Sequence, residues 1–225
     1  MSGPYRLGVD VGGTHTDLVL LNVADGSIEI EKVSSTPANP ALGVLEGVNR
    51  FIAQGKKPDA IEFFAHGTTI TTNALLEMRG AKVGMMITRG YRAIQEIRQQ
   101  ARDGNPFDYF FQRPTPLAPQ SQTFEAGGRI DFEGNELAPL DEDDVRAAAR
   151  SLKAKEVSSI AVVYLFSYMN PSHERRTREI ILEEWPEAHV SLSSDVLPRI
   201  REWARMSTTL LNAYLEPVLV HYIGD

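Results

Sequence analysis

Leu7-Gly8-Val9-Asp10-Val11-Gly12-Gly13-Thr14-His15-Thr16-Asp17-Leu18-Val19-Leu20 is the stretch from which the rest of the chain is read. Apolar residues lead into an aspartate; two glycines and a threonine follow, then a second aspartate, then apolar residues again. The pattern predicts strand, tight turn, strand. Gly12 and Gly13 are free to take φ > 0 and let the backbone approach a ligand closely. Bare N–H groups in such a turn form a concavity suited to an anion, phosphate above all. Thr14 and Thr16 add hydroxyl donors. Asp10 and Asp17 suit a phosphate site only if a cation lies between, Mg²⁺ held through water being the usual one. The plain alternative is a β-hairpin with a Gly-Gly turn, which has no need of two acids and two threonines around it.

The hairpin resembles the first phosphate loop of the actin, hexokinase and sugar-kinase ATPase superfamily. No Gly-Lys-Ser/Thr follows, so it is not a Walker loop. A strand rather than a helix follows the glycines, so it is not a dinucleotide fingerprint.

Composition sets outer bounds. The 225 residues suit one large domain or two small ones, and 42% hydrophobic residues suffice for a core. A net charge of −7 argues against broad nucleic-acid binding. No run of about 18 apolar residues occurs, so no membrane span is expected. The first six residues lack a signal peptide's apolar core. The chain has no cysteine, which excludes disulfides and thiol chemistry and fits a cytoplasmic location.

Along the chain, strands are expected at about Tyr5 to Val11, Asp17 to Asn22 and Ser27 to Val33, the last two joined by an Asp25-Gly26 turn. Asn39 caps a helix with Pro40 in its first position, and Leu42, Leu45, Val48, Phe51 and Ile52 recur at helical spacing as its packed face. Gly55-Lys56-Lys57-Pro58 ends it. Ile61-Glu62-Phe63-Phe64-Ala65 reads as a short buried strand. It runs into His66-Gly67-Thr68-Thr69-Ile70-Thr71-Thr72-Asn73, a polar junction ahead of a second helix. Ligands of α/β sheets gather at such junctions; helix capping by Thr68 or Thr69, with His66 satisfied nearby, explains them equally well.

Lys82 to Thr88 is a further strand, and Tyr91 to Arg98 a short helix. The pattern then lapses from Gln99 to about Phe124, where Pro106, Pro114, Pro116 and Pro119 fall among Phe107, Tyr109, Phe110 and Phe111. The aromatics point to a loop docked on another lobe or subunit, or folded onto its own domain. Gly128 to Leu137 reads as a hairpin. Asp141 to Asp144 cap an Ala-rich helix from Val145 to Lys153 rather than hold a metal. Val157 to Phe166 is the most buried strand, a helix runs from Asn170-Pro171 to Trp185, and His189 to Leu192 is the last strand. A long helix from Arg199 to about Tyr222 is expected to kink or break at Pro217.

Together these segments resemble the N-terminal region of the A-type subunits of the hydantoinase/oxoprolinase family. The match is carried by Asp10-Val11-Gly12-Gly13-Thr14-His15-Thr16-Asp17, His66-Gly67-Thr68-Thr69 with Thr72-Asn73-Ala74-Leu75, and Thr88-Arg89-Gly90-Tyr91. Ser167-Tyr168-Met169-Asn170-Pro171 with His173-Glu174, Leu192 to Pro198, Ser207-Thr208-Thr209 and Asn212-Ala213-Tyr214 extend it over nearly the whole chain. His15 departs from the aromatic residue many members carry.

The resemblance implies an α/β, actin/hexokinase-like (ribonuclease-H-like) ATPase lobe, its mixed sheet beginning with an antiparallel meander and flanked by helices. Residues 1–98 would form the phosphate-loop lobe and 99–136 an irregular loop and hairpin insertion. Residues 137–198 would be a further α/β segment, and 199–225 a helix leading to a second lobe. Members carry a second Gly-Gly-Thr loop in that lobe, and none occurs here, so the chain is expected to be part of a longer one.

ATP and Mg²⁺ are the implied cofactors. Asp10 would orient the metal. Gly12, Gly13, Thr14 and Thr16 would bind phosphate oxygens, with Thr68 and Thr69 beside them. Asp10, Asp17 and His66 are the catalytic candidates. The implied activities are ATP-dependent opening of a cyclic amide, or the ATP-using step of a ketone carboxylase. A non-catalytic assembly lobe is the alternative of a different kind. A B-type hydantoinase subunit is the implied partner, giving a hetero-oligomer with no nucleic acid and no membrane.

Overall fold

The computed structural model describes residues 4–36, 39–98, 107–112 and 114–224. The chain forms two compact units, one of Met1–Arg79 with Val218–Asp225 and one of Gly80–Pro217.

The first unit opens on β1 (Tyr5–Val11), β2 (His15–Asn22) and β3 (Ile28–Ser34), an antiparallel meander as the sequence implies. Alternation along β1 sends Tyr5, Leu7, Val9 and Val11 into a core with Leu18, Leu20 and Val33. Helix α1 (Pro40–Ala53) covers that face, and the Asn39 side chain accepts from Ala41 N as its cap. After a 3-10 turn at Pro58–Ala60 comes β4 (Ile61–Thr68), parallel to β1, and then α2 (Ile70–Leu76). The strand order is β3-β2-β1-β4.

The packed face of α1 is the expected one only in part: Val48 and Phe51 pack on the core as expected. Leu42, Leu45 and Ile52 are exposed, whereas Gly43 and Gly47 are buried beside Val44, Val48 and Phe51. The two glycines, four residues apart, share one face and let the helix axis approach the sheet. A Cβ on Gly47 would stand 2.1 Å from Leu18 Cδ1, and one on Gly43 3.1 Å from Thr16 Oγ1. Leucine spacing alone therefore misassigned the interface, because the closest contact is made by residues without side chains. Gly47→Val is expected to lower stability by about 1–3 kcal/mol through overpacking against Leu18. A urea-unfolding midpoint that does not fall would contradict this packing.

A second correction concerns β4. Its residues from Glu62 to Gly67 are exposed rather than buried, because among the described residues nothing covers the faces their side chains point to.

The second unit is built on a parallel sheet of order β10-β9-β5-β6. Its strands are β5 (Val83–Thr88), β6 (Thr123–Ala126), β9 (Ser159–Val163) and β10 (His189–Leu192). β5 and β9 are buried throughout, as strands covered on both faces are. The irregular stretch thus ends in a strand, β6, which the sequence does not announce. β5, placed by the sequence reading in the first segment, pairs here with β6 and β9.

A short helix α3 (Ile94–Ile97) follows β5, and the hairpin β7 (Arg129–Ile130) and β8 (Glu136–Ala138) turns at Gly134. Helices α4 (Glu142–Ala154) and α5 (Ser172–Glu184) pack over the sheet through Val145, Ala149, Leu152, Ile180 and Ile181. Asp141 accepts from Asp144 N, the capping role expected of that acidic run. A short α6 (Ser193–Val196) leads to α7 (Glu202–Gly224). α7 continues through Pro217 instead of breaking there, losing only the hydrogen bond that a proline nitrogen cannot donate.

Of the aromatic loop, Pro106 lies outside the described residues. Tyr109 and Phe110 are exposed, while Pro116 and Leu117 line a groove with Trp203 and Leu210 in their own unit. Among the described residues no helix is long and apolar enough to cross a membrane.

Candidate functional site

The loop between β1 and β2 is held from below. Gly12 N–H donates to His15 O at 3.0 Å, closing the turn. Ser35, just past β3, donates its hydroxyl to Gly12 O at 2.7 Å and its N–H to Thr14 O at 3.0 Å. Thr16 is fully buried, its Oγ1 3.0 Å from Ser35 Oγ, and so props the loop from beneath. Neither Gly12 nor Gly13 has the positive φ that the sequence suggested. Gly12 is required for a different reason: a Cβ there would stand 2.9 Å from His15 O, a backbone atom with nowhere to go.

β4 brings the second polar segment to the same end of the sheet. Val11 pairs with Thr68, so the His-Gly-Thr-Thr junction lies beside the glycine turn. Thr68 Oγ1 donates to Val11 O at 3.2 Å and accepts from Ile70 N at 3.2 Å, both capping α2 and tying it to β1. The Asn73 amide lies over the turn, its Nδ2 3.5 Å from where a Cβ on Gly13 would be and 3.4 Å from Thr69 Oγ1.

Between these pieces is a cavity of about 350 Å³. Gly12, Gly13, Ser35, Thr68, Asn73 and Arg79 are in its wall, with Val11 and Val218 supplying apolar surface. Ligand sites have this size range and this mixture of apolar wall and few polar groups. Arg79 pairs with Glu77 at 3.1 Å at the rim.

The two acids stand directly opposite one another, Asp10 on β1 and Asp17 on β2. Like charges so placed repel. Lys32 on β3 relieves half of the problem by pairing with Asp17 at 2.8 Å. The Asp10 side chain, exposed at the strand end over Gly67, takes part in no ion pair or hydrogen bond among the described residues. Among those residues no group of three or more His, Asp or Glu could hold a metal unaided. An uncompensated carboxylate beside the glycine turn has the chemistry to help hold a cation through water.

Of the other candidates, Thr14 is exposed on the turn and hydrogen-bonded to its neighbour His15 at 3.2 Å. Thr69 precedes α2 without capping it. His66 lies 2.5 Å from the Tyr222 hydroxyl, a residue no sequence pattern connects to it. Burial, with the nearby Asp10 carboxylate, keeps the Tyr222 phenol above the ordinary tyrosine range, against an opposing hydrogen bond to Thr68. Ser35, Arg79 and Tyr222 were invisible to sequence reasoning because none stands in a motif. Asn73 was signalled only as the amide closing the junction.

Fold and site together define a mixed α/β protein with a glycine-threonine turn and an unpaired acid at its strand ends. The chain belongs to the hydantoinase/oxoprolinase family: the family's N-terminal region matches residues 6–185. It is similar to the ATP-dependent caprolactamase of Pseudomonas jessenii, with a TM-score of 0.85 and 36% identity over 98% of this chain and 33% of that one. It also matches the nucleotide-free structure of acetone carboxylase, an enzyme of ATP-dependent acetone carboxylation. There the TM-score is 0.88 and the identity 29%, over 100% of this chain and 34% of the other. The 5-oxoprolinase 1 of Arabidopsis thaliana is 30% identical over the whole chain, which covers 20% of its length. The chain thus spans between 20% and 34% of the length of these relatives.

Proposed function

We propose that this chain is the N-terminal part of the ATP-binding subunit of a cyclic amidohydrolase, opening a hydantoin, lactam or 5-oxoproline ring. The observation that carries the reading is the cavity at the Gly12-Gly13 turn, lined by Ser35, Thr68 and Asn73, with the Asp10 side chain left unpaired at the strand end. The caprolactamase and oxoprolinase likenesses support it.

A cyclic amide is a poor electrophile because resonance occupies its carbonyl. Phosphorylating the carbonyl oxygen turns it into a good leaving group and opens the carbon to water. That transfer needs the γ-phosphate held in line and its charge neutralised. Gly13 and Thr14 would bind phosphate oxygens, with Thr68 and Thr69 beside them; Gly12, its own N–H taken by His15 O, closes the turn, and Thr16 acts through Ser35, holding it in shape. Asp10 would hold Mg²⁺ through water, and the metal would supply charge neutralisation on the phosphates. Asp17, tied to Lys32, would orient this arrangement. His66, bonded to Tyr222, borders the site.

A B-type subunit is the proposed partner and a hetero-oligomer the working form. A second reading, the ATP-using subunit of a ketone carboxylase, is favoured by the acetone carboxylase likeness, which extends over the whole chain. The full-length complex, given ATP and each substrate class with and without bicarbonate, separates the two. Ring opening with bicarbonate-independent ATP use is expected, and ATP use that requires bicarbonate overturns the hydrolase reading.

A further inference from the structure

The glycine turn separates two regions of different chemistry. Val11 is in the wall of the cavity, and successive strand residues point to opposite faces, so Asp10 points away from it. Thr14 is not in the wall either, whereas Gly13 is. The groups proposed for metal and phosphate therefore lie across the turn from the cavity, with Gly13 at the boundary.

The cavity itself suits a neutral molecule. Glu77 and Arg79 are the ionisable residues of its wall, and they neutralise one another at 3.1 Å. Val11, Ile70, Ala74 and Val218 supply apolar surface. Its volume of about 350 Å³ equals that of roughly ten waters in the liquid, ample for a small ring. Asn73, half-buried on α2, is the carboxamide in this wall. Thr69 Oγ1 accepts one of its N–H groups at 3.4 Å; the other N–H and Oδ1 have no partner among the described residues. A carboxamide so placed offers a donor and an acceptor side by side.

We propose that the cavity holds the ring of the substrate and that Asn73 reads its amide edge. The inference rests on the cyclic-amidohydrolase reading above and deepens it. Closing a small ring forces its amide cis, which puts C=O and N–H on one side. That edge pairs with the Asn73 carboxamide through two hydrogen bonds: Nδ2–H donates to the ring carbonyl and the ring N–H donates to Oδ1. An open-chain amide is trans and presents the two groups on opposite sides, so it makes only one of them. Asn73 thereby selects cyclic over linear amides. It acts in the reaction as well. As the carbonyl oxygen bonds to the γ-phosphorus and the bond from phosphorus to ADP breaks, positive charge develops on the ring nitrogen. The ring N–H then donates more strongly to Oδ1, so the contact is stronger in the transition state than in the ground state.

The test compares the ring that the full-length complex opens with its N-methyl derivative, which keeps the carbonyl but lacks the donor. By calorimetric titration the unmodified complex is expected to bind the N–H ring at least about 10-fold more tightly. Asn73→Ala is expected to lower kcat/KM for the N–H ring by about 10–100-fold, to leave KM for ATP within about twofold, and to bring the two rings within about threefold of each other. A preference for the N–H ring that survives in the variant overturns the proposal. So does an equal loss on both rings with a raised KM for ATP, the mark of a residue that only shapes the turn. Equal binding of the two rings by the unmodified complex overturns it without any variant, so the test stands even if Asn73→Ala folds poorly. A complex that opens no cyclic amide with ATP fails earlier: there the hydrolase reading itself falls, and this inference with it.

Discussion

Asp10→Asn in the full-length complex is expected to lower ATP-dependent turnover by about 10²–10³-fold, the scale on which removing one preorganised electrostatic element acts. The substitution keeps the shape of the side chain and removes only its charge. Asp10 is exposed and holds no ion pair, so no native contact is lost with the charge. The repulsion between Asp10 and Asp17 across the β1–β2 ladder disappears as well, so the folded protein should be no less stable. Loss of turnover without loss of stability is the signature of a group kept for its ligand. Coupled ATP hydrolysis and product formation measure the first, and thermal unfolding the second. Full ATP-dependent activity in the variant would remove Asp10 from the site and leave the assembly-lobe reading standing.

Glu174→Ala is expected to destabilise the protein by about 3–5 kcal/mol, since three buried donors lose a charged acceptor at about 1–3 kcal/mol each. Glu174 has no exposed surface. It accepts from Tyr164 N at 2.9 Å, Ser193 Oγ at 2.5 Å and Ser194 N at 2.8 Å, joining the C-terminal ends of β9 and β10. Arg205, 1% exposed, donates to the carbonyl of the same Tyr164. The two charges therefore clamp one residue from opposite sides. Burial pulls the Arg205 guanidinium below its ordinary pKa, and the field of Glu174 is the leading influence opposing that shift. Removing the carboxylate leaves three donors without their acceptor and a buried cation without its counter-charge. Glu174→Gln, which keeps one acceptor oxygen, should lose less. Urea unfolding followed by circular dichroism gives both values; an alanine variant within about 1 kcal/mol of the parent would contradict the clamp, since total stabilities are only about 5–15 kcal/mol.

Local sequence was enough for several elements. The meander, the Asn39 cap, the Asp141 cap, the strand β5 and the buried strand β9 rest on period, capping chemistry and turn residues, all decided within a few neighbours. The glycine turn and the polar junction after β4 were legible as separate pieces for the same reason. Their adjacency was not, since the pairing of Val11 with Thr68 joins positions far apart in the chain.

What neighbouring residues could not decide was who packs on whom. Leucine spacing pointed to the wrong face of α1, because the closest approach is made by Gly43 and Gly47, and absence of a side chain has no hydrophobic signal. The apolar run in β4 was read as buried, which is a property of its partners and not of its own residues. Ser35, Tyr222 and the Glu174–Arg205 clamp emerged only from the folded chain. Hydrogen-bond partners across a fold are set by long-range pairing, and no local pattern encodes them. The sequence by itself therefore determined the family, the elements and the chemical character of the turn. Tertiary structure decided which of those residues face the cavity, which hold it in shape, and which edge of the sheet stands open.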